Sequence, residues 1–244
     1  MSETNALVIG SSSGIGAELV SQLCDSNLYH QVHAISRNEI AVAHPKLHSH
    51  EVDSSDEVQI AKICETLRES GPFALVVCCI GMLHLVSNVE QVSPEKRLED
   101  VTANQLEHYF KVNTVAPMMW LKHLPKLLLK SVDTQVVLLS ARVASIEDNK
   151  LGGWYGYRAS KAALNMLIKT SQVEYRRRFK TVQIVSYHPG TVDTGLSKPF
   201  QSNVPKDKLF SVDFTVRQLL SLLPTLDINH APHFIDWDNK SIPW

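Results

Sequence analysis

The chain has 244 residues with 44% hydrophobic and 20% charged content, enough apolar material for one large α/β domain or two small ones. Its formal net charge of −1 gives no electrostatic case for a nucleic-acid partner. No apolar stretch is long enough to span a bilayer, the N-terminus has no signal-peptide pattern, and the four cysteines, Cys24, Cys64, Cys78 and Cys79, form no C-x-x-C pair; a reduced, cytoplasmic protein is expected.

Taken in order, Ala6-Leu7-Val8-Ile9 reads as a buried parallel strand. Gly10-Ser11-Ser12-Ser13-Gly14-Ile15-Gly16 follows and opens a helical pattern through Leu19, Val20 and Leu23. A glycine-rich turn between strand and helix suits a pyrophosphate, because backbone N–H groups and the helix dipole both face it; the spacing is G-x-x-x-G-x-G. A second strand, Gln31 to Ser36, ends at Arg37-Asn38. In a dinucleotide fold that end reaches the adenosine ribose, and an arginine there suits a 2′-phosphate.

His44, His48 and His50 crowd the next segment, with His48 and His50 on one strand face. No acidic or cysteine partner completes a metal set, so scattered surface histidines are the expectation. A third strand ends at Glu51-Val52-Asp53, a helix runs from about Ser55 to Ser70, and Phe73 to Cys79 forms the fourth strand, ending at Ile80-Gly81. Residues 82–101 show no periodicity and read as a long loop. Thr102-Ala103-Asn104-Gln105 is a capping box for a helix carrying Phe110, Asn113, Met118 and Leu121. Pro117 lies inside that helix and removes the N–H that would pair with the Asn113 carbonyl, so a kink is expected.

The fifth strand, Gln135 to Leu139, ends at Ser140, and a loop with Gly152-Gly153 leads to Tyr157-Arg158-Ala159-Ser160-Lys161. Tyr157 and Lys161 fall one turn apart on strong helix sequence, a spacing found at none of the other tyrosines. A neighbouring ammonium favours the phenolate, so the spacing predicts a Tyr157 pKa below that of a free phenol and a group suited to acid–base work. The sixth strand, Val182 to Tyr187, ends in His188-Pro189-Gly190-Thr191-Val192-Asp193-Thr194; a mobile lid over 195–210, a helix near 212–223 and a strand near His233–Trp237 complete the chain. No linker divides it, so residues 1–244 are read as one domain.

Taken together, Gly10-x-x-x-Gly14-x-Gly16, Asp53, Asn113, Tyr157-x-x-x-Lys161 and Pro189-Gly190 resemble the short-chain dehydrogenase/reductase family over essentially the whole chain. Gly152-Gly153-Trp154-Tyr155 and the ending Ile242-Pro243-Trp244 are most similar to its C-factor and Sniffer-type carbonyl reductase branch. The resemblance implies a Rossmann fold, a doubly wound parallel seven-stranded sheet with helices on both faces, and a substrate lid near 191–212. It implies an NADP(H)-dependent reductase of a small-molecule carbonyl compound, with Tyr157 as proton donor, Lys161 lowering its pKa and binding the nicotinamide ribose, and Asn113 holding a water.

The resemblance also implies cofactor contacts from Gly10, Ser12, Ser13, Gly14, Ile15, Gly16, Arg37, Asp53, Gly81, Pro189, Gly190, Val192 and Thr194, with Asp53 on the adenine and Thr194 on the carboxamide. It further implies a homodimer or homotetramer built on helices at about 103–130 and 154–178. Two departures stand out. Cys78-Cys79-Ile80-Gly81 replaces the family's Asn-Asn-Ala-Gly, and its paired serines after strand five read Ser140-Ala141 here, with Ser145 following. Ser140, at the strand end, is taken as the substrate-orienting serine. These departures keep a second reading open, an NADP(H)-binding signalling or sensor protein with little turnover.

Overall fold

The computed structural model describes residues 4–38, 40, 43–86 and 91–244; positions 87–90 of the expected long loop lie outside them. Seven parallel strands form the central sheet: β1 (Asn5–Ile9), β2 (Val32–Ser36), β3 (Leu47–Glu51), β4 (Phe73–Cys78), β5 (Thr134–Leu139), β6 (Val182–His188) and β7 (His233–Asp236). Their spatial order is β3-β2-β1-β4-β5-β6-β7. The chain winds outward from β1 in both directions, and the crevice beyond β1 and β4 is the topological switch point of a Rossmann fold.

Strand alternation fills both layers. Leu7 and Ile9 join a core with Ile60 of α2 (Glu57–Leu67), Trp120 of α4 (Ala116–His123) and Leu164 of α5 (Tyr155–Arg178). Ala6 and Val8 point the other way, onto Leu19 of α1 (Gly14–Asp25) and Val216 of α6 (Val212–Leu222). With both faces covered, the central strands are apolar runs. Edge strand β3, Leu-His-Ser-His-Glu, is the polar one.

The histidines there are not scattered. His33 is buried and stacks on His48 and His50 at centroid distances of 5.0 and 5.3 Å, with its Nδ1 3.1 Å from His50 Nε2. Burial, with His50 and His48 alongside, pushes His33 down to about 3, and burial with His48 alongside lowers His50 as well. Among the described residues no group of three or more His, Cys, Asp or Glu could hold a metal ion, and no helix is long and apolar enough to cross a membrane.

The kink expected at Pro117 is a change of helix type. Helix α3 (Ala103–Phe110) runs into a π-turn at Lys111–Val115, where the Ala116 N–H reaches back to Lys111 O, and α4 restarts at Ala116. Pro117 thus falls in a first turn, where a missing N–H is tolerated, and avoids the ~3 kcal/mol cost of a helix interior. The capping box forms by half: Thr102 Oγ1 accepts from the Gln105 N–H, while Gln105 Nε2 donates to Asp100 O.

Candidate active site

The carboxyl ends of the strands bring the expected residues to one edge. After β1 the backbone N–H groups of Gly10 and Ser11 both donate to Ile35 O, and the buried Ser11 hydroxyl donates there too. The turn is therefore pinned to β2 before it enters α1. Gly10 and Gly14 take positive φ (81° and 52°). A Cβ on Gly16 would lie 2.1 Å from Gly10 O, so only glycine lets the helix start against its own turn. Ser12 and Ser13 are exposed beside the half-buried Ile15, and Ser13 is the N-cap of α1 without making a side-chain cap. The first turn of α1 meets the segment after β6: a Cβ on Gly14 would touch Thr194 Cγ2 at 3.2 Å.

At the end of β2, Arg37 is exposed, close enough to Asp53 to help lower its pKa, although the main cause there is the Ser55 N–H, 2.8 Å from Asp53 Oδ1. Beyond β6, Gly190 (φ 79°) lets Phe210 pack down; a Cβ would stand 2.6 Å from the Phe210 ring. Pro189 and the buried Val192 complete that wall, where Leu209–Phe210 pairs in parallel with Thr191–Val192. In the stretch expected to be a lid, Phe210 stands 4.4 Å from the Trp237 ring and Phe200 5.5 Å from Trp154.

Tyr157 and Lys161 lie one turn apart and are both buried. Lys161 Nζ donates to Leu139 O at 2.8 Å, and a Cβ on Gly81 would be 3.4 Å from Nζ. Burial pushes the Lys161 ammonium down to about 8, with Cys78 a smaller opposing influence. Burial likewise pushes the Tyr157 phenol up to about 12. This reverses the lowered tyrosine pKa expected from spacing, because a residue count places Lys161 on the face of Tyr157 but does not say where its ammonium points. Asn113, fully buried, clamps the loop after β4: its Oδ1 accepts from Met82 N–H at 2.7 Å, and its Nδ2 donates to Met82 O at 2.9 Å and to Ser160 Oγ at 3.1 Å.

Ser140 does not join Tyr157. Its buried hydroxyl donates to Asn165 Oδ1 at 2.9 Å, where the Ser186 hydroxyl converges at 2.7 Å. The next residue, Ala141, belongs to the apolar cluster of Leu83, Val92, Tyr109 and Tyr157, against which Met82, Val143, Trp154 and Phe200 pack. Ser145 Oγ accepts from the Asp148 N–H and is buried as well. The serine expected to orient substrate is thus turned into the interior, and an alanine methyl stands on the Tyr157 side. Trp154 and Tyr109 stand edge-on to Tyr157 at 6.1 and 6.2 Å.

Sequence reasoning missed Ser11, Tyr109 and Glu95. Ser11 stood inside the motif without an assigned role. Tyr109, whose hydroxyl donates to Leu83 O at 2.8 Å, and Glu95, in a stretch without periodicity, carried no local signal.

A family model described as short chain dehydrogenase matches residues 4–205. Benzil reductase ((S)-benzoin forming) of Bacillus subtilis is 28% identical over 232 residues, covering 89% of this chain and 92% of that protein. The C-signal of Myxococcus xanthus is 28% identical over 173 residues, covering 70% of this chain and 98% of that protein. Among solved structures, NADPH-bound carbonyl reductase from chicken fatty liver superposes with a TM-score of 0.83 at 23% identity, covering 98% of this chain and 94% of that one. Carbonyl reductase Sniffer of D. melanogaster gives a TM-score of 0.83 at 21% identity, with both chains covered in full.

Proposed function

The chain belongs to the short-chain dehydrogenase family of oxidoreductases, and from that premise we propose that it is an NADP(H)-dependent carbonyl reductase for a partly apolar, aryl-bearing ketone or 1,2-diketone. The observation that carries this reading is the placement of Tyr157 and Lys161 on one face of α5 at the sheet's carboxyl edge, with Tyr157 walled by Leu83, Ala141 and the Trp154 ring. The benzil reductase relative supports the substrate class.

The glycine turn fits a dinucleotide. A Cβ at Gly16 would overlap the turn, while the N-terminus of α1 presents N–H groups suited to a pyrophosphate. Gly81 and Thr194 would border the nicotinamide end, and Asp53 and Arg37 the adenosine end, with Arg37 favouring a 2′-phosphate. Bound there, NADPH supplies the hydride that reduces the carbonyl carbon.

Tyr157, kept protonated at neutral pH by burial, donates its proton to the carbonyl oxygen, so C=O becomes CH–OH. Lys161 sets its ammonium between the end of β5 and Gly81, where it would meet the nicotinamide ribose. Asn113 fixes the loop after β4, and its carbonyl, offered no N–H by Pro117, is the acceptor for a water leading from Lys161 to solvent. The folded segment 191–212 acts as the lid through Phe200. The unpaired cysteines support a cytoplasmic protein, and the exposed Val115, Met166 and Val173 support a homodimer or homotetramer through α3–α5.

One observation favours a second reading. With the Ser140 hydroxyl turned away and Ala141 in its place, the serine at the end of β5 does not help Tyr157 hold a substrate oxygen, which suits a cofactor-binding signalling protein of the C-signal kind. NADPH oxidation across aldehydes, aryl ketones, benzil and quinones separates the two. Turnover is expected, and Tyr157→Phe should reduce it by roughly two to four orders of magnitude with NADPH affinity little changed. NADPH binding without turnover of any compound supports the signalling reading. Activity retained in Tyr157→Phe removes the tyrosine from its role.

A further inference from the structure

Helix α5 begins where its own sequence provides poorly for a beginning. Its first N–H groups have no intrahelical acceptor, as at any helix start, and the preceding residue is Trp154, which makes no side-chain cap. Trp154 also sits at φ 54°, the left-handed region that a bulky side chain disfavours. The acceptors come from far upstream. Glu95 O accepts the Trp154 N–H at 2.5 Å, and Glu95 Oε2 accepts the Gly156 N–H at 3.1 Å.

The Glu95 side chain is enclosed, with the residue 2% exposed, and its Oε1 has no hydrogen-bond partner. A Cβ on Gly156 would stand 2.9 Å from Oε1 and 2.4 Å from Tyr109 Cδ2, so the missing side chain at 156 makes room for the carboxyl and the Tyr109 ring together. That ring stands edge-on to Tyr157.

We propose that Glu95 is the positioning residue for Tyr157: it caps the first turn of α5 from the loop after β4 and so fixes the phenol relative to that loop. The proposal rests on Tyr157 as proton donor. Tyr157 lies in the turn that Glu95 holds. Lys161 lies one turn deeper and is held separately by Leu139 O. Loss of the cap therefore displaces the phenol more than the ammonium, and proton transfer suffers more than cofactor binding. A glutamine can still accept from the Gly156 N–H, whereas an aspartate is one methylene too short to reach it.

The test compares Glu95→Ala, Glu95→Asp and Glu95→Gln in the full chain, with benzil and NADPH as probes. The Ala and Asp variants should lose at least tenfold in kcat while the NADPH Kd and the KM for benzil stay within threefold, and Gln should stay within threefold of the parent in all three. The proposal is overturned if Asp or Ala retains kcat, if Gln falls as far as they do, or if NADPH affinity falls in step with kcat. If Ala does not fold, Asp and Gln decide. If the parent itself turns over no compound, the proposed function fails separately, and amide exchange at 155–158 decides the cap. Exchange at least tenfold faster in Asp and not in Gln supports it, and unchanged exchange overturns it.

Discussion

On the proposed cofactor side of the switch point the cleft is shaped by backbone. Gly10 and Gly14 supply positive φ, Gly16 supplies the space, and the Gly10 and Ser11 N–H groups hold the turn to Ile35 O. On the proposed substrate side the cleft is shaped by side chains from distant segments: Glu95, Tyr109, Ala141, Tyr157 and Phe200 come from three loops and two helices. The first construction is local in sequence and rigid. The second is an assembly, and each piece depends on others remote in the chain.

The sharpest way to break the cofactor side is Gly16→Ala. The new methyl would meet Gly10 O at 2.1 Å, and neither backbone segment can yield cheaply. NADPH binding should be lost by calorimetric titration and stability should fall by about 1–3 kcal/mol, the range for forced overpacking. Parent-like affinity would show that the turn does not shape the site. Arg37→Ala tests the same side more gently. A charge-assisted contact of ~1.5–3 kcal/mol predicts about a tenfold or greater preference of the parent for NADPH over NADH, and the variant should lose most of it in a fluorescence titration. Equal affinities in the parent would remove Arg37 from the adenosine site.

Lys161 sits at the seam, and its effect is read in stability against pH rather than in binding. Its folded pKa of about 8 lies below the ordinary 10.5, so the native state releases this proton first and stability rises as pH passes from 8 toward 10.5. Tyr157, raised to about 12, withdraws stability only above about 10. Buried thiols such as Cys64 act in the same downward sense above about 9, in parent and variant alike, so the difference between the two proteins is the quantity to read. From pH 8 to 10 the parent should gain roughly 2 kcal/mol relative to Lys161→Met in urea unfolding. A pH-independent difference would mean that the ammonium is not desolvated.

The same contrast explains what could be read in advance. The strand–turn–helix around Gly10–Gly16 and the Tyr157–Lys161 spacing are legible because each is written within a few consecutive residues. The central strands are legible because burial on both faces leaves apolar runs, whereas edge strand β3 is polar. Ser140 misleads because a strand end does not reveal which way its last side chain turns: one residue's difference exchanges the Asn165 side for the Tyr157 side. Glu95 is invisible because its partners at 154 and 156 lie about sixty residues away, joined to it only by the fold. The histidine stack escaped for a similar reason, since His33 and His50 meet across two strands.

The π-turn at Lys111–Val115 makes the length of this helix as informative as its composition. A π-turn holds one residue more than an α-turn, so everything downstream lies about 100° behind where an uninterrupted α-helix of the same sequence would put it. Upstream of it Tyr109 serves the Tyr157 cluster; within it Asn113 grips Met82; downstream Trp120 and Leu121 serve the sheet. One helix thus addresses two clients that a uniform α-helix would present at the wrong relative angle. Removing a single residue between 111 and 115 would restore regular winding and leave Tyr109 and Trp120 facing their own clients, so the loss would fall on Asn113 and its hold on Met82. The stretch is a spacer whose information lies in its count, so a further one-residue insertion there, which would turn Trp120 about 100° away from the core, should be felt far more than many substitutions at its exposed positions.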